Sequence, residues 1–183
     1  MPMTPDGQVA GDPQTRWAME DFQEPPRDEG GVVLCGACRT TGICKLGVRR
    51  EGLEDTDTAV FTLACPAEYE GGPNVAHGGW TAAAFDDCMG HLPLLHRVRS
   101  VTAEITVGFL KPVPVGRDLE LRARVERREG RRWYITAEMT LLTTGAVLAR
   151  ASGVWVTRDA AHFDRHEQWL AQQDASAAKW SAD

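Results

Sequence analysis

A chain of 183 residues has room for one domain with a substantial core plus extensions, and not for two. Its 43% hydrophobic and 25% charged content excludes a fibrous or disordered chain. A net charge of -6 without a basic stripe excludes a general nucleic-acid binder.

Residues 1–30 hold Pro2, Pro5, Pro13, Pro25 and Pro26 among charges and read as a flexible arm, within which Thr15 to Phe22 forms at most a short docking helix. No apolar run is long enough to cross a bilayer, and Met1 to Gly31 lacks the apolar centre of a signal peptide, so a cytoplasmic location and no membrane partner are expected. Five cysteines, an odd number, then fit reduced thiols. A lead-in over 31–44 carries Cys35, Cys38 and Cys44 in a C-x-x-C arrangement followed by a third thiol. No second C-x-x-C and no nearby histidine complete a zinc set, so the expected metal count is none and small buried thiols are the better reading.

Lys45 to Glu51 and Asp57 to Cys65 read as two strands, the second alternating Ala59, Phe61 and Leu63 with Thr58, Val60 and Thr62. A loop over Pro66 to Pro73 leads into Asn74-Val75-Ala76-His77-Gly78-Gly79, which opens an alanine-rich helix closed after Gly90 by Pro93. Gly78 and Gly79 stand where a helix leaves its first N–H groups unpaired and its dipole positive, a mouth suited to an oxyanion or a polarised carbonyl. Asp86 and Asp87 interrupt the apolar surface of that helix, where a carboxylate is either paired or held at a reactive site.

After the helix the period changes to two. Val101, Ala103, Ile105, Val107 and Phe109 alternate with Thr102, Glu104, Thr106 and Gly108, which puts Thr102 on the polar face, away from the helix. Strands over Leu119 to Glu126, Trp133 to Leu141 and Val147 to Thr157 follow, linked by turns at Glu129-Gly130-Arg131 and Thr144-Gly145. Four consecutive strands with short links imply an antiparallel meander. Arg158 to Asp174 reads as a terminal helix, with Phe163, Trp169 and Leu170 as its apolar contacts and His162 and His166 on a solvated face. The fold class is therefore α+β, in β-β-α-β-β-β-β order, with the domain over 31–158 and a helix and tail over 159–183. The sheet's exposed edges favour pairing with a second copy, as a dimer or a dimer of dimers.

Ala76-His77-Gly78-Gly79, an acid nine residues after the histidine, Ser100-Val101-Thr102-Ala103 and Phe109-Leu110-Lys111-Pro112-Val113-Pro114-Val115-Gly116 together resemble the hotdog-fold acyl-CoA thioesterases of the phenylacetate-pathway type, over roughly residues 45–158. The resemblance implies that Asp86 is the catalytic carboxylate, with Asp87 as fallback. It implies a backbone N–H of Gly78 or Gly79 against the thioester carbonyl, His77 assisting, and Thr102 orienting the water. Because the alternation turns Thr102 away from the helix, that last role requires a site shared between subunits. Some relatives carry an asparagine where Gly71 stands here.

The implied reaction is hydrolysis of an acyl-CoA thioester, with Asp86 as general base or as nucleophile and a glycine N–H stabilising the oxyanion. No cofactor is expected, CoA being part of the substrate. Lys111, Arg127, Arg128, Arg131 and Arg132 are candidates for a basic rim, and Trp80 and Phe85 hint at an aromatic pocket. A protein that binds acyl-CoA or lipid without turnover is the alternative. A hydratase of the same fold ranks lower, for want of an Asp and His pair five residues apart on the central helix.

Overall fold

A computed structural model describes residues 22–180, with side chains to residue 174. Of the flexible arm proposed for residues 1–30, residues 1–21 lie outside the described residues, and with them all but the last residue of the docking helix proposed for 15–22. Its last aromatic, Phe22, is buried, with the guanidinium groups of Arg97 and Arg99 each 5.7 Å from its ring centroid.

Strands β1 (Val48–Leu53) and β2 (Thr58–Leu63) precede a ribbon of β3 (Glu70–Gly72) and β4 (Val75–Ala76), and helix α1 (Gly78–Leu95) follows. Then come β5 (Ser100–Phe109), β6 (Leu119–Glu129), β7 (Arg132–Leu141), β8 (Ala146–Thr157) and a second helix, α2 (His162–Trp180). The large strands form one antiparallel sheet in the order β1-β2-β6-β7-β8-β5. Helix α1 packs on β1, β2, β5, β6 and β7. This is the α+β hotdog fold, its sheet wrapped around a central helix.

The period-two reading holds where the sheet faces the helix. Ala59, Phe61 and Leu63 of β2, Leu119, Leu121 and Ala123 of β6, and Trp133, Ile135 and Met139 of β7 are all buried. Their polar neighbours form charged ladders on the outer face, such as Arg150 with Glu138 at 2.8 Å. Burying an apolar side chain of this size stabilises by about 1.5–3 kcal/mol, and the alternation delivers a row of them from each strand.

The four-strand meander is corrected: β5 pairs with β8, and β6 pairs with β2 on its other side. The link over 110–118 is no hairpin. It runs from the β8 edge, where Leu110 and Lys111 N–H donate to Leu148 O, to the β2 side, where Gly116 N–H donates to Cys65 O. Pro112 and Pro114 lack the N–H that a ladder needs, which keeps this segment from continuing β5. Helix α1 also continues through Pro93 to Leu95. Pro93 sits in the last turn, where the ladder bond it cannot make is followed by the helix end two residues later, and His96 and Arg97 N–H close that end on the carbonyls of Pro93 and Leu94. Helix α2 does not make the expected contacts, because Phe163, Trp169 and Leu170 are all exposed.

One irregularity carries the site. In β5 Thr102 pairs with Trp155 and Glu104 with Val154, so Ala103 is an extra residue, a bulge that reverses the facing of the side chains on either side of it. Beyond the bulge Ile105 and Val107 pack on the core, and before it Thr102 takes the same, helix-facing side. Gly153 lies where the bulge crowds β8. A Cβ there would stand 2.6 Å from Glu104 O and 2.8 Å from the Trp155 ring. Gly153→Ala is expected to destabilise by about 1–3 kcal/mol, as overpacking does, measured by urea unfolding. An unchanged midpoint would show that the bulge yields freely.

Candidate active site

Helix α1 begins with a cap. The Nδ1 of His77 accepts the Gly79 N–H at 2.9 Å, and the His77 N–H donates to Tyr69 O at 2.7 Å. A Cβ on Gly79 would stand 2.9 Å from that ring nitrogen, so the histidine cap requires glycine there. The cap also distinguishes the two glycines, since Gly79 spends its N–H on His77. Gly71 packs on the same histidine, since a Cβ at position 71 would come within 2.7 Å of His77 Cα. An asparagine does not fit there. Gly78 lines a cavity of about 400 Å³ with Thr81, Phe109 and Lys111.

Asp86 lies two turns further along. It is half-buried, and its Oδ1 accepts the Thr102 hydroxyl at 2.7 Å. The expectation that Thr102 faces away from the helix is thus corrected; the bulge at Ala103 is the reason. Asp86 and Thr102 share a cavity of about 230 Å³ with Asp87, His91, Ser100 and Trp155. The rise of a helix separates positions 78 and 86 by about 12 Å along the axis. Asp86 and Gly78 of one chain therefore do not converge on one carbonyl.

Sequence reasoning passed over a buried cluster behind this cavity. The Glu51 side chain is fully buried; its Oε1 accepts from Arg27 at 3.1 Å and from Val33 N–H at 2.9 Å, and its Oε2 meets His91 Nδ1 at 2.6 Å. The other ring nitrogen, Nε2, lies 3.7 Å from Asp87 Oδ1. Burial works against the His91 cation, but the hydrogen bond to Glu51 and the charges of Asp87 and Glu51 outweigh it, and the imidazole pKa rises above its ordinary value despite Arg27. Burial pushes the Asp87 carboxyl up, His91 opposes this, and Glu51 and Asp86 reinforce it. The signal was present in part, as Asp87 and His91 are one helical turn apart on α1. His91 also follows Asp86 by five residues, which corrects the low ranking of a hydratase for want of such a pair.

The remaining candidates separate clearly. Lys111 lines the Gly78 cavity, whereas Arg127 stacks on Tyr134 at 3.5 Å and pairs with Glu129, and Arg128 stacks on Trp133 and pairs with Asp57. Trp80 and Phe85 are buried in the core, which withdraws the hint of an aromatic pocket drawn from them. Among the described residues no group of three or more His, Cys, Asp or Glu is arranged to hold a metal ion. Cys38, Cys44, Cys65 and Cys88 are buried and Cys35 is exposed; desolvation pushes Cys44 and Cys65 up to about 11, so both remain thiols. His162 is half-buried and His166 exposed.

Residues 73–148 match the sequence model of the Thioesterase superfamily. No curated protein matches its sequence. Among solved structures, a thioesterase superfamily protein is 22% identical over 54% of this chain, with a TM-score of 0.50, and the chain spans only 48% of that protein. The E. coli PaaI protein from the phenylacetic acid degradation operon is 21% identical, with 67% of this chain and 85% of that one covered and a TM-score of 0.58. A hypothetical thioesterase protein from Streptococcus pneumoniae TIGR4, solved with coenzyme A, is 15% identical, with coverages of 59% and 86% and a TM-score of 0.55.

The raised His91 pKa fixes the sign of a pH effect. A group that binds its proton more tightly when folded stabilises fully below its unfolded value, here 6.5, and loses that contribution as pH rises through the folded value. The unfolding free energy of the wild type minus that of His91→Gln is therefore expected to be largest near pH 6 and to shrink at alkaline pH. Denaturant titrations across that range measure it.

Proposed function

We propose that the protein hydrolyses acyl-CoA thioesters at a site completed by a second copy of the chain. The observation that carries this reading is the Asp86 carboxylate, held by the Thr102 hydroxyl at 2.7 Å on the wall of a cavity. Asp86 takes a proton from water as the water oxygen attacks the thioester carbonyl. The Gly78 N–H receives the developing oxyanion, and the C–S bond breaks to release the acid and the CoA thiol. Attack by Asp86 itself, through an anhydride, ends in the same products. His77 holds the helix mouth in shape, and Lys111 lines the cavity at that mouth. Aromatic acyl-CoAs are the proposed substrates, a choice supported by the likeness to the PaaI protein.

The distance between Asp86 and Gly78 within one chain supports the dimer. Strand β5 is an open edge of the sheet, and Phe109, at its end, and Leu110, just past it, are 57% and 52% exposed. Pairing two β5 edges antiparallel lays two α1 helices antiparallel, which carries Asp86 of one copy toward the partner's Gly78. The protein is proposed to act in the cytoplasm; among the described residues no helix is long and apolar enough to cross a membrane.

Asp86→Asn is expected to lower kcat for thiol release at least about a hundredfold and Thr102→Ala about tenfold, measured with a thiol reagent against aromatic, short and long acyl-CoAs. Full turnover in Asp86→Asn would overturn the assignment, and tight acyl-CoA binding without thiol release would favour a binding protein instead. Gly78→Pro tests the shared site: proline is accepted at the first helical position and removes only the N–H. Each variant alone should be inactive, and a mixture refolded together should regain about a quarter of wild-type turnover, because each mixed dimer contains one intact site.

Asp86 and His91 on one cavity favour a second reading, addition of water across an enoyl thioester. Loss of enoyl absorbance from a trans-2-enoyl-CoA without thiol release would select it.

A further inference from the structure

Hydrolysis as derived uses Asp86, Thr102 and Gly78, and leaves Glu51, His91 and Asp87 without a part, although Asp87 and His91 line the same cavity. Two adjacent carboxylates on a poorly solvated helix wall repel one another, so a base at Asp86 works against the charge of Asp87 unless a cation balances it. The cation on that wall is His91. Its Nδ1 is seated on Glu51 at 2.6 Å, which fixes the ring and turns Nε2 toward Asp87 at 3.7 Å. That gap is too long for a hydrogen bond and within reach of an ion pair.

We propose that His91, seated on the buried Glu51 carboxylate, is a positioning residue for the catalytic base: it balances Asp87 and draws it off Asp86, leaving Asp86 to Thr102 and the attacking water. This rests on Asp86 as the base. The groups that face His91 are Glu51 from β1, Asp87 and beyond it Asp86 from α1, and Arg27 from the segment just before the lead-in. Arg27 shares Glu51 and opposes the ring's charge. Phe61 of β2 contributes an uncharged ring 6.3 Å away. The thiols of Cys38, Cys44 and Cys88 feel the charge of Asp87, and burial keeps them protonated. The segment before β1 thereby enters the site chemistry through Arg27 and Val33, both held on one oxygen of Glu51.

The consequence is confined to the pH range in which His91 is charged. Removing the cation leaves Asp87 unbalanced beside the base, so the acid limb of kcat/KM in His91→Gln should move up by about half to one pH unit. Turnover should fall about three- to tenfold near pH 5 and converge on the wild type at alkaline pH, where position 91 is uncharged in both proteins. Asp87→Asn removes the charge that His91 balances, so in that background His91→Gln should leave the limb in place.

The experiment is the pH profile of thiol release for the wild type, both single variants and the double variant, together with the His91 imidazole titration followed by NMR in the wild type and Asp87→Asn. A lower His91 pKa in Asp87→Asn and a limb shift abolished in that background support the proposal. Superposable profiles of wild type and folded His91→Gln, a shift of equal size in the Asp87→Asn background, or an unchanged His91 titration overturn it. Where His91→Gln does not fold, the NMR comparison decides, since it uses variants that keep His91. Asp86→Asn separates the two readings. If it retains full turnover, the base assignment fails; if it is inactive while the His91 profiles coincide, only the present proposal fails.

Discussion

Everything polar on α1 is disciplined by the sheet that encloses it. Phe85, Cys88, Met89 and Leu92 point into a core filled from β2, β6 and β7, and a charged group on that side of the helix costs several kcal/mol unless it is paired. Asp86 and Asp87 are half-buried, at the boundary between the enclosed side and the open one. His91 is buried, and it is tolerated there because Glu51 meets it from β1. The enclosing sheet thus sorts the helix into an apolar side and one narrow polar border, and the cavity forms on that border.

The border acquires its hydroxyl through one extra residue. With Ala103 bulged, Thr102 and Ile105 share the helix-facing side of β5, three residues apart, where a regular strand would have set them on opposite sides. The same strand is the open edge of the sheet. A single element therefore supplies the group that holds Asp86 and the surface through which a second copy would bring its Gly78. Gly153 on β8 gives the bulge its room, which ties the geometry of the hydroxyl to a position distant in sequence.

What could be read without coordinates follows from how local each interaction is. Ala59-Phe61-Leu63, Leu119-Leu121-Ala123 and Trp133-Ile135-Met139 show their facing in the sequence, because a regular strand alternates and a one-sided core demands it. The glycine mouth of α1 and the acid at 86 were legible for the same reason, as helix entry chemistry is spelled in consecutive residues. The facing of Thr102 was not, since a bulge is chosen by the partner strand. Nor was the pairing of β5 with β8, which depends on where the 110–118 link travels. The Glu51–His91 contact spans forty positions and the Arg27–Glu51 contact twenty-four, and a glutamate on a strand reads as solvated until its neighbours are known. Phe163, Trp169 and Leu170 were read as contacts because they are apolar, yet they are exposed; hydrophobicity marks a preference for cover without naming what provides it.

The parts of the site differ in where they come from. His77, Gly78, Asp86, His91 and Thr102 all lie within the stretch that matches the Thioesterase superfamily model, while Glu51 and Arg27 lie before it. The proposed reacting groups thus belong to the matched stretch, and the charge that seats His91 beside them is brought from outside it by β1 and the segment before it. Neutralising Glu51 would leave the acid, the hydroxyl and the glycine in place and change only the company they keep. In this chain the segment before β1 would therefore act on the proposed chemistry through electrostatics, as the source of an arginine and an N–H that let a carboxylate stay buried behind the proposed catalytic wall.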